Sequence, residues 1–161
     1  MIQIVSLRMV REKRVPYADV VVARPEDVVK LWDLLHAKGQ PDREEVWLLC
    51  LDNRMKPTAL HMVSRGSLDG ALVTPREVFK TAIAANARYV ILAHNHPSGD
   101  PSPSADDESI TERIRKTGEM LGISLRDHVI VGDGCFHSMA GGWLWKGGGC
   151  DEESEPKAVA G

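Results

Sequence analysis

The stretch AHNHPSGDPSPSADDES, residues 93–109, decides how the rest of the chain is read. Two histidines one residue apart are followed by three prolines and then by Ser-x-x-Asp, just where a helix begins. The preceding YVILA (89–93) has the make-up of a short buried strand. In a strand, residues two apart face the same side, about 6 to 7 Å apart at the backbone. His94 and His96 therefore present both imidazoles from one strand edge, and their side chains can close that gap onto one ion. Pro97, Pro101 and Pro103 stiffen the loop, so the chain can reverse and return the next helix start, with Asp107 in its first turn, to the histidines.

Taken alone, Ser104-x-x-Asp107 is a capping box, with the serine at the N-cap and the aspartate at the third helical position. Cap and ligand roles compete for the same carboxylate oxygens, although Ser104 can cap without Asp107. Two neutral imidazoles and one carboxylate are a typical catalytic set for Zn2+, with the fourth tetrahedral position open. Structural zinc usually takes four protein ligands rich in cysteine.

The chain around this stretch reads as one domain. Its 161 residues, 43% hydrophobic and 27% charged, suffice for one sizeable core. No apolar run reaches the roughly 18 residues of a membrane span, so no membrane partner is expected and a cytoplasmic location is. Cys50, Cys135 and Cys150 form no C-x-x-C pair, which fits a reducing compartment. A net charge of −3 argues against an electrostatic grip on nucleic acid, despite a small basic run at Arg8, Arg11, Lys13 and Arg14.

Working outward, IQIVSLRMV (2–10) and ADVVVA (18–23) have strand character. Pro25 with Glu26 and Asp27 opens a helix whose apolar face is Val28, Leu31, Trp32 and Leu35, running to Gly39. EEVWLLCLD (44–52) is apolar on both sides, as a central strand is, and TALHMVS (58–64) is its hairpin partner. Thr74-Pro75-Arg76-Glu77 reads as a capping box for a helix over about 75–87, with Val78, Phe79, Ala82, Ile83 and Ala85 as its buried stripe. Ile110, Ile114 and Leu121 give the helix after Ser104 its apolar face up to Gly122. SLRDHVIVG (124–132) is a last strong strand, hairpinned through GDG to CFHSMA (135–140). The Gly-rich, acidic residues 146–161 are expected to be a disordered tail. His128, His61 and His137 suit buried core positions, with His128 also near enough to support the site, and His36 suits the surface.

The pattern H-x-H, seven residues, S, two residues, D, standing here as His94, His96, Ser104 and Asp107, resembles the JAMM signature of JAB/MPN+ metalloproteases. More narrowly, HNHPSGDPSPSADD resembles the RadC family of bacterial JAB-domain proteins, together with GSLDGALVTPREVFKTAIAANARYVILA before it and LGISLRDHVIVGDG after it. The likeness runs from about 40 to 145, leaving residues 1–40 as an extension of the same domain. The resemblance implies an α/β fold, a mixed central sheet flanked by helices and related to the cytidine-deaminase architecture. It implies zinc held by His94, His96 and Asp107, and a glutamate on an earlier strand that activates the attacking water. REEVWLLCLD (43–52) puts that base at Glu44, although a one-residue slip of register would exchange it with Glu45. The 40 residues before the JAB region are short for the helix-hairpin-helix module of full-length RadC proteins, which weakens any expectation of DNA contact.

The function expected on these grounds is a zinc-dependent hydrolase acting on an amide or isopeptide bond in a protein or small molecule. Glu44 is its base, and Ser104 is a donor to the tetrahedral oxyanion. The alternatives are a repair-associated nucleic-acid factor, weakened by the charge balance, and a non-catalytic MPN scaffold, weakened by the intact ligand set. A zinc deaminase is excluded by the lack of H-x-E and P-C-x-x-C.

Overall fold

EVWLLCL, strand β1 (Glu45–Leu51), is apolar on both sides because both faces of the sheet that contains it are covered. In the computed structural model, which describes residues 21–66, 73–140 and positions 2, 9, 10, 12, 14 and 15, helix α1 (Pro25–Leu35) precedes that strand. After it come β2 (Pro57–Arg65), α2 (Pro75–Ala84), β3 (Tyr89–Asn95), α3 (Ala105–Leu121), β4 (Ser124–Val131) and β5 (Phe136–Ser138). The sheet order is β2-β1-β3-β4-β5, with β3 and β4 parallel and the other neighbours antiparallel. This is the expected α/β architecture, a mixed central sheet flanked by helices.

Alternation along β1 and β3 sorts the core into two layers. Val46, Leu48, Cys50, Val90 and Leu92 face α2 and α3, packing on Val78, Phe79, Ala82 and Ile114. Leu49, Leu51, Ile91, Ala93, Val129 and Val131 face α1, packing on Val28, Leu31 and Trp32. At about 25 cal/mol per Å² of apolar surface, burying a side chain such as Leu48 or Trp32 stabilises by roughly 1.5 to 3 kcal/mol. The α1 helix starts at Pro25, whose missing N–H costs nothing there, and Asp27 Oδ2 accepts the Ala23 and Arg24 N–H groups at 3.1 Å each.

Several local expectations need correction. The capping box does not form: the Thr74 side chain makes no cap bond, and Glu77 Oε2 accepts from Lys80 Nζ at 2.9 Å instead of reaching back. The α2 helix ends at Ala84, with Asn86 at φ 50, and Ile83 is exposed rather than part of the stripe. Leu121 is also exposed; on α3 the buried place is taken by Gly118, where a Cβ would lie 2.3 Å from the Ile123 carbonyl oxygen. Residues 21–23 form no strand, though Val22 is buried and its N–H donates to the Met55 carbonyl at 2.9 Å. His36 is part-buried and bonded to Glu45, and His61 is exposed. The tail at 146–161 lies outside the described residues, as do most of the expected strand at 2–10 and of the basic run. Among the described residues no helix is long and apolar enough to cross a membrane.

Candidate metal centre

His94 stands near the end of β3 and is almost fully buried; His96 follows one residue beyond the strand. Asp107 is buried in the first turn of α3, which packs on the same face of the sheet. Ligand atoms of these three residues all lie within 4.8 Å of one another. The closest approaches are 3.0 Å between the two histidine Nε2 atoms, 3.1 Å from His94 Nε2 to Asp107 Oδ1, and 3.4 Å from His96 Nε2 to Asp107 Oδ2.

The other ring nitrogens show what those Nε2 atoms carry. His96 Nδ1 lies 2.8 Å from the Asp100 carbonyl, which only accepts, so Nδ1 holds the hydrogen. His94 Nδ1 meets His128 Nε2 at 2.7 Å. Burial pushes the His128 pKa down to about 3, so that ring is neutral at ordinary pH. Its Nδ1 lies 2.6 Å from Thr111 Oγ1, whose own hydrogen goes to the Asp107 carbonyl at 2.5 Å. His128 therefore donates from Nδ1 and accepts at Nε2, and His94 donates from Nδ1. In their neutral forms both rings keep the Nε2 lone pair on the ligand side.

Burial raises the Asp107 pKa, but a hydrogen on His94 Nε2, when that ring carries one, together with the Ser104 hydroxyl and N–H, outweighs it and holds the carboxyl well below the ordinary carboxylate range. Two lone pairs and a carboxylate at these separations repel one another unless a positive charge sits among them, whether a shared proton or a metal ion. The donor set fits zinc: bonds of about 2.0 to 2.1 Å to tetrahedrally placed ligands put the ligand atoms about 3.3 to 3.4 Å apart, close to the distances found.

Cap and ligand roles of Asp107 coexist rather than compete. Oδ2 accepts from the Ser104 N–H at 2.8 Å and the Ser104 hydroxyl at 2.6 Å, completing the box, while Oδ1 is turned to His94. Ser104 Oγ in turn accepts the Asp107 N–H at 3.2 Å, so its hydrogen rests on the carboxylate.

The two glutamates part at β1. Val46 pairs with His94 across β1 and β3, and Glu44, two residues earlier, lines a cavity of about 360 Å³ with His94, His96, Ser104 and Asp107. Glu45 is buried on the opposite face, where Oε2 accepts from His36 Nε2 and Trp47 Nε1, each at 3.0 Å, and Oε1 lies 3.3 Å from Arg65 Nε.

Sequence reasoning passed over Asn95, between the histidines. Its side chain points away from theirs, where Oδ1 accepts the Glu45 N–H at 2.9 Å and Nδ2 donates to the Arg43 carbonyl at 3.1 Å. It thereby holds the backbone on both sides of Glu44. A buried amide at a strand end must find such partners, and that was the available signal. The loop after His96 is pinned too: Gly132 and Gly99 touch so closely that a Cβ on Gly132 would lie 2.2 Å from the Gly99 carbonyl oxygen, and the Asp133 N–H donates to that oxygen at 2.9 Å. Asp127 is buried with its pKa raised by that burial, and it accepts from the His128 N–H and the Ser138 hydroxyl, tying β4 to β5.

A mixed sheet that delivers His-x-His from a central strand to the capped start of the next helix is the arrangement of the JAB class of domains. Within that class the chain belongs to the RadC-like JAB domain family, whose model matches residues 22–144 and so takes in α1 as well as the sheet. Its relatives include UPF0758 proteins of Trichlorobacter lovleyi, Thermotoga maritima and Clostridium perfringens. The first is 46% identical over 68% of this chain and 48% of its own length; the second 52% over 64% and 46%; the third 42% over 76% and 53%. The chain thus spans about half the length of the curated relatives it matches, and their names state no activity.

Proposed function

We propose that this domain is a zinc-dependent hydrolase of the JAMM type, cleaving an amide or isopeptide bond. One observation carries the proposal: two imidazole Nε2 atoms and a carboxylate converge at 3.0 to 3.4 Å on the wall of a cavity. His94, His96 and Asp107 would hold the ion. A zinc ion bound there supplies Lewis-acid polarisation of a carbonyl and lowers the pKa of its water from about 15.7 to about 7.

The remaining chemistry falls to the chain. Glu44, on the same cavity, takes the proton of the attacking water and returns it to the leaving amine. The Ser104 hydroxyl, by turning its hydrogen from Asp107 Oδ2, donates to the oxyanion; losing such a donor costs roughly 2.7 to 4 kcal/mol. Val46, Val73, Leu92 and Ile110 give the cavity an apolar wall for the substrate chain. The complete donor set favours this function over a non-catalytic scaffold.

The test is a panel of peptide and isopeptide amides incubated with the zinc-loaded chain, its Glu44→Gln variant beside it. The amide is nearly isosteric with the carboxylate but takes no proton at neutral pH, so zinc content should be unchanged and hydrolysis lost. Hydrolysis that survives in Glu44→Gln would remove Glu44 from the mechanism.

A further inference from the structure

We infer that His128 is a positioning residue for the metal site: as an acceptor at Nε2 it fixes the His94 imidazole in the one tautomer and orientation that present Nε2 to the ion. The inference rests on the metal-site function proposed above and assigns a job to a side chain that takes no part in ligation there.

Each step follows from hydrogen-bond direction. The Asp107 carbonyl only accepts, so the Thr111 hydroxyl at 2.5 Å gives its hydrogen there. Thr111 Oγ1 must then accept from His128 Nδ1 at 2.6 Å, and an imidazole with its one hydrogen on Nδ1 offers a lone pair at Nε2. The partner of that lone pair is His94 Nδ1 at 2.7 Å, so the His94 hydrogen is drawn away from the ligand side. The relay begins at the backbone of one ligand, Asp107, and ends on the ring of another, His94, and the helix and sheet that carry them are thereby set relative to each other.

Position makes the relay rigid. His128 sits on β4 beside Leu92 of β3, two residues before His94 on the same face, and is 2% exposed. Its ring centroid lies 4.7 Å from that of His94, and its backbone N–H is held by Asp127 Oδ1 at 2.7 Å. Metal-bound histidines commonly give their outer N–H to a carboxylate or a carbonyl; here the acceptor is another imidazole, which brings no negative charge to the site.

The geometry of two amides separates this role from plain core packing. Glutamine places its terminal amide where His Nε2 lies and can still accept from His94, whereas asparagine reaches only the Nδ1 position, toward Thr111. Affinity for Zn2+ is measured on the chelator-stripped full chain by competition with a chromogenic chelator, and the visible absorption of the Co2+ form is recorded. His128→Asn should weaken binding roughly 10- to 100-fold and alter the Co2+ spectrum, while His128→Gln recovers most of both. Thr111→Val, which frees His128 to adopt the other tautomer, should also weaken binding.

Wild-type affinity in all three variants, or an equal loss in the asparagine and glutamine variants, would overturn the inference. If neither His128 variant folds, Thr111→Val decides, and unchanged affinity there overturns it. A wild-type chain that binds neither ion overturns the metallohydrolase function itself, and this inference with it.

Discussion

His94 and His96 turn their Nε2 atoms toward each other at 3.0 Å while their Nδ1 hydrogens point away, to His128 and to the Asp100 carbonyl. Two acceptors held face to face by hydrogen bonds behind them are set up for a cation before one arrives. Affinity at such a site depends as much on what stands behind the rings as on the ligand atoms themselves.

Gly132→Ala should lower both stability and zinc affinity. The added methyl would meet the Gly99 carbonyl at 2.2 Å and Pro101 Cδ at 2.9 Å, so the loop that carries the Asp100 carbonyl, which accepts from His96 Nδ1, has to move. Overpacking of this kind costs about 1 to 3 kcal/mol. Urea unfolding and chelator competition read the two effects, and a wild-type value in both would mean the loop yields freely.

Glu45→Gln should cost stability and spare zinc. The carboxylate accepts from His36 and Trp47 at 3.0 Å and lies beside Arg65, and an amide there turns a donor toward one of those donors. Hydrogen bonds to a charged group are worth about 1.5 to 3 kcal/mol each, so a loss of that order is expected in urea unfolding, with unchanged metal content. A change in zinc content would show that Glu45 acts at the site.

Cys50 makes a pH prediction. Burial pushes its pKa from 9.0 up to about 12 in the folded chain. A raised folded pKa contributes stability that is complete below pH 9 and is lost as the pH rises toward 12. At pH 10.5 the loss amounts to about 1.5 pK units, or ~2 kcal/mol at 1.36 kcal/mol per unit. From pH 8 to 10.5 the urea midpoint should fall more for wild type than for Cys50→Ala; parallel curves would contradict the assignment. The thiol should also resist alkylation at pH 8.

Where one pattern governs both local and tertiary structure, the sequence is easily read. The β1 strand, apolar on both faces, is central for that reason, and Ser104 with Asp107 both caps α3 and turns a carboxylate to His94. Misreadings arose where packing or a competing partner overrode the local pattern. His36 left the surface for Glu45, Leu121 fitted the helical period yet Gly118 holds the contact with Ile123, and Glu77 took Lys80 on its own helix in place of the start of α2. The parts of the site that escaped notice, Asn95, Thr111 and Gly132, act across 17 to 52 residues of chain, as with Asn95 on Arg43 and Thr111 on His128. No local periodicity records a partner that far away.

The central claim is that His94, His96 and Asp107 hold one metal ion, and elemental analysis of the purified chain tests it most directly. The expected result is about one zinc per chain in wild type and nearly none in His96→Ala, with both folded by circular dichroism. Equal zinc in the two proteins, or none in wild type after incubation with excess Zn2+, would contradict it.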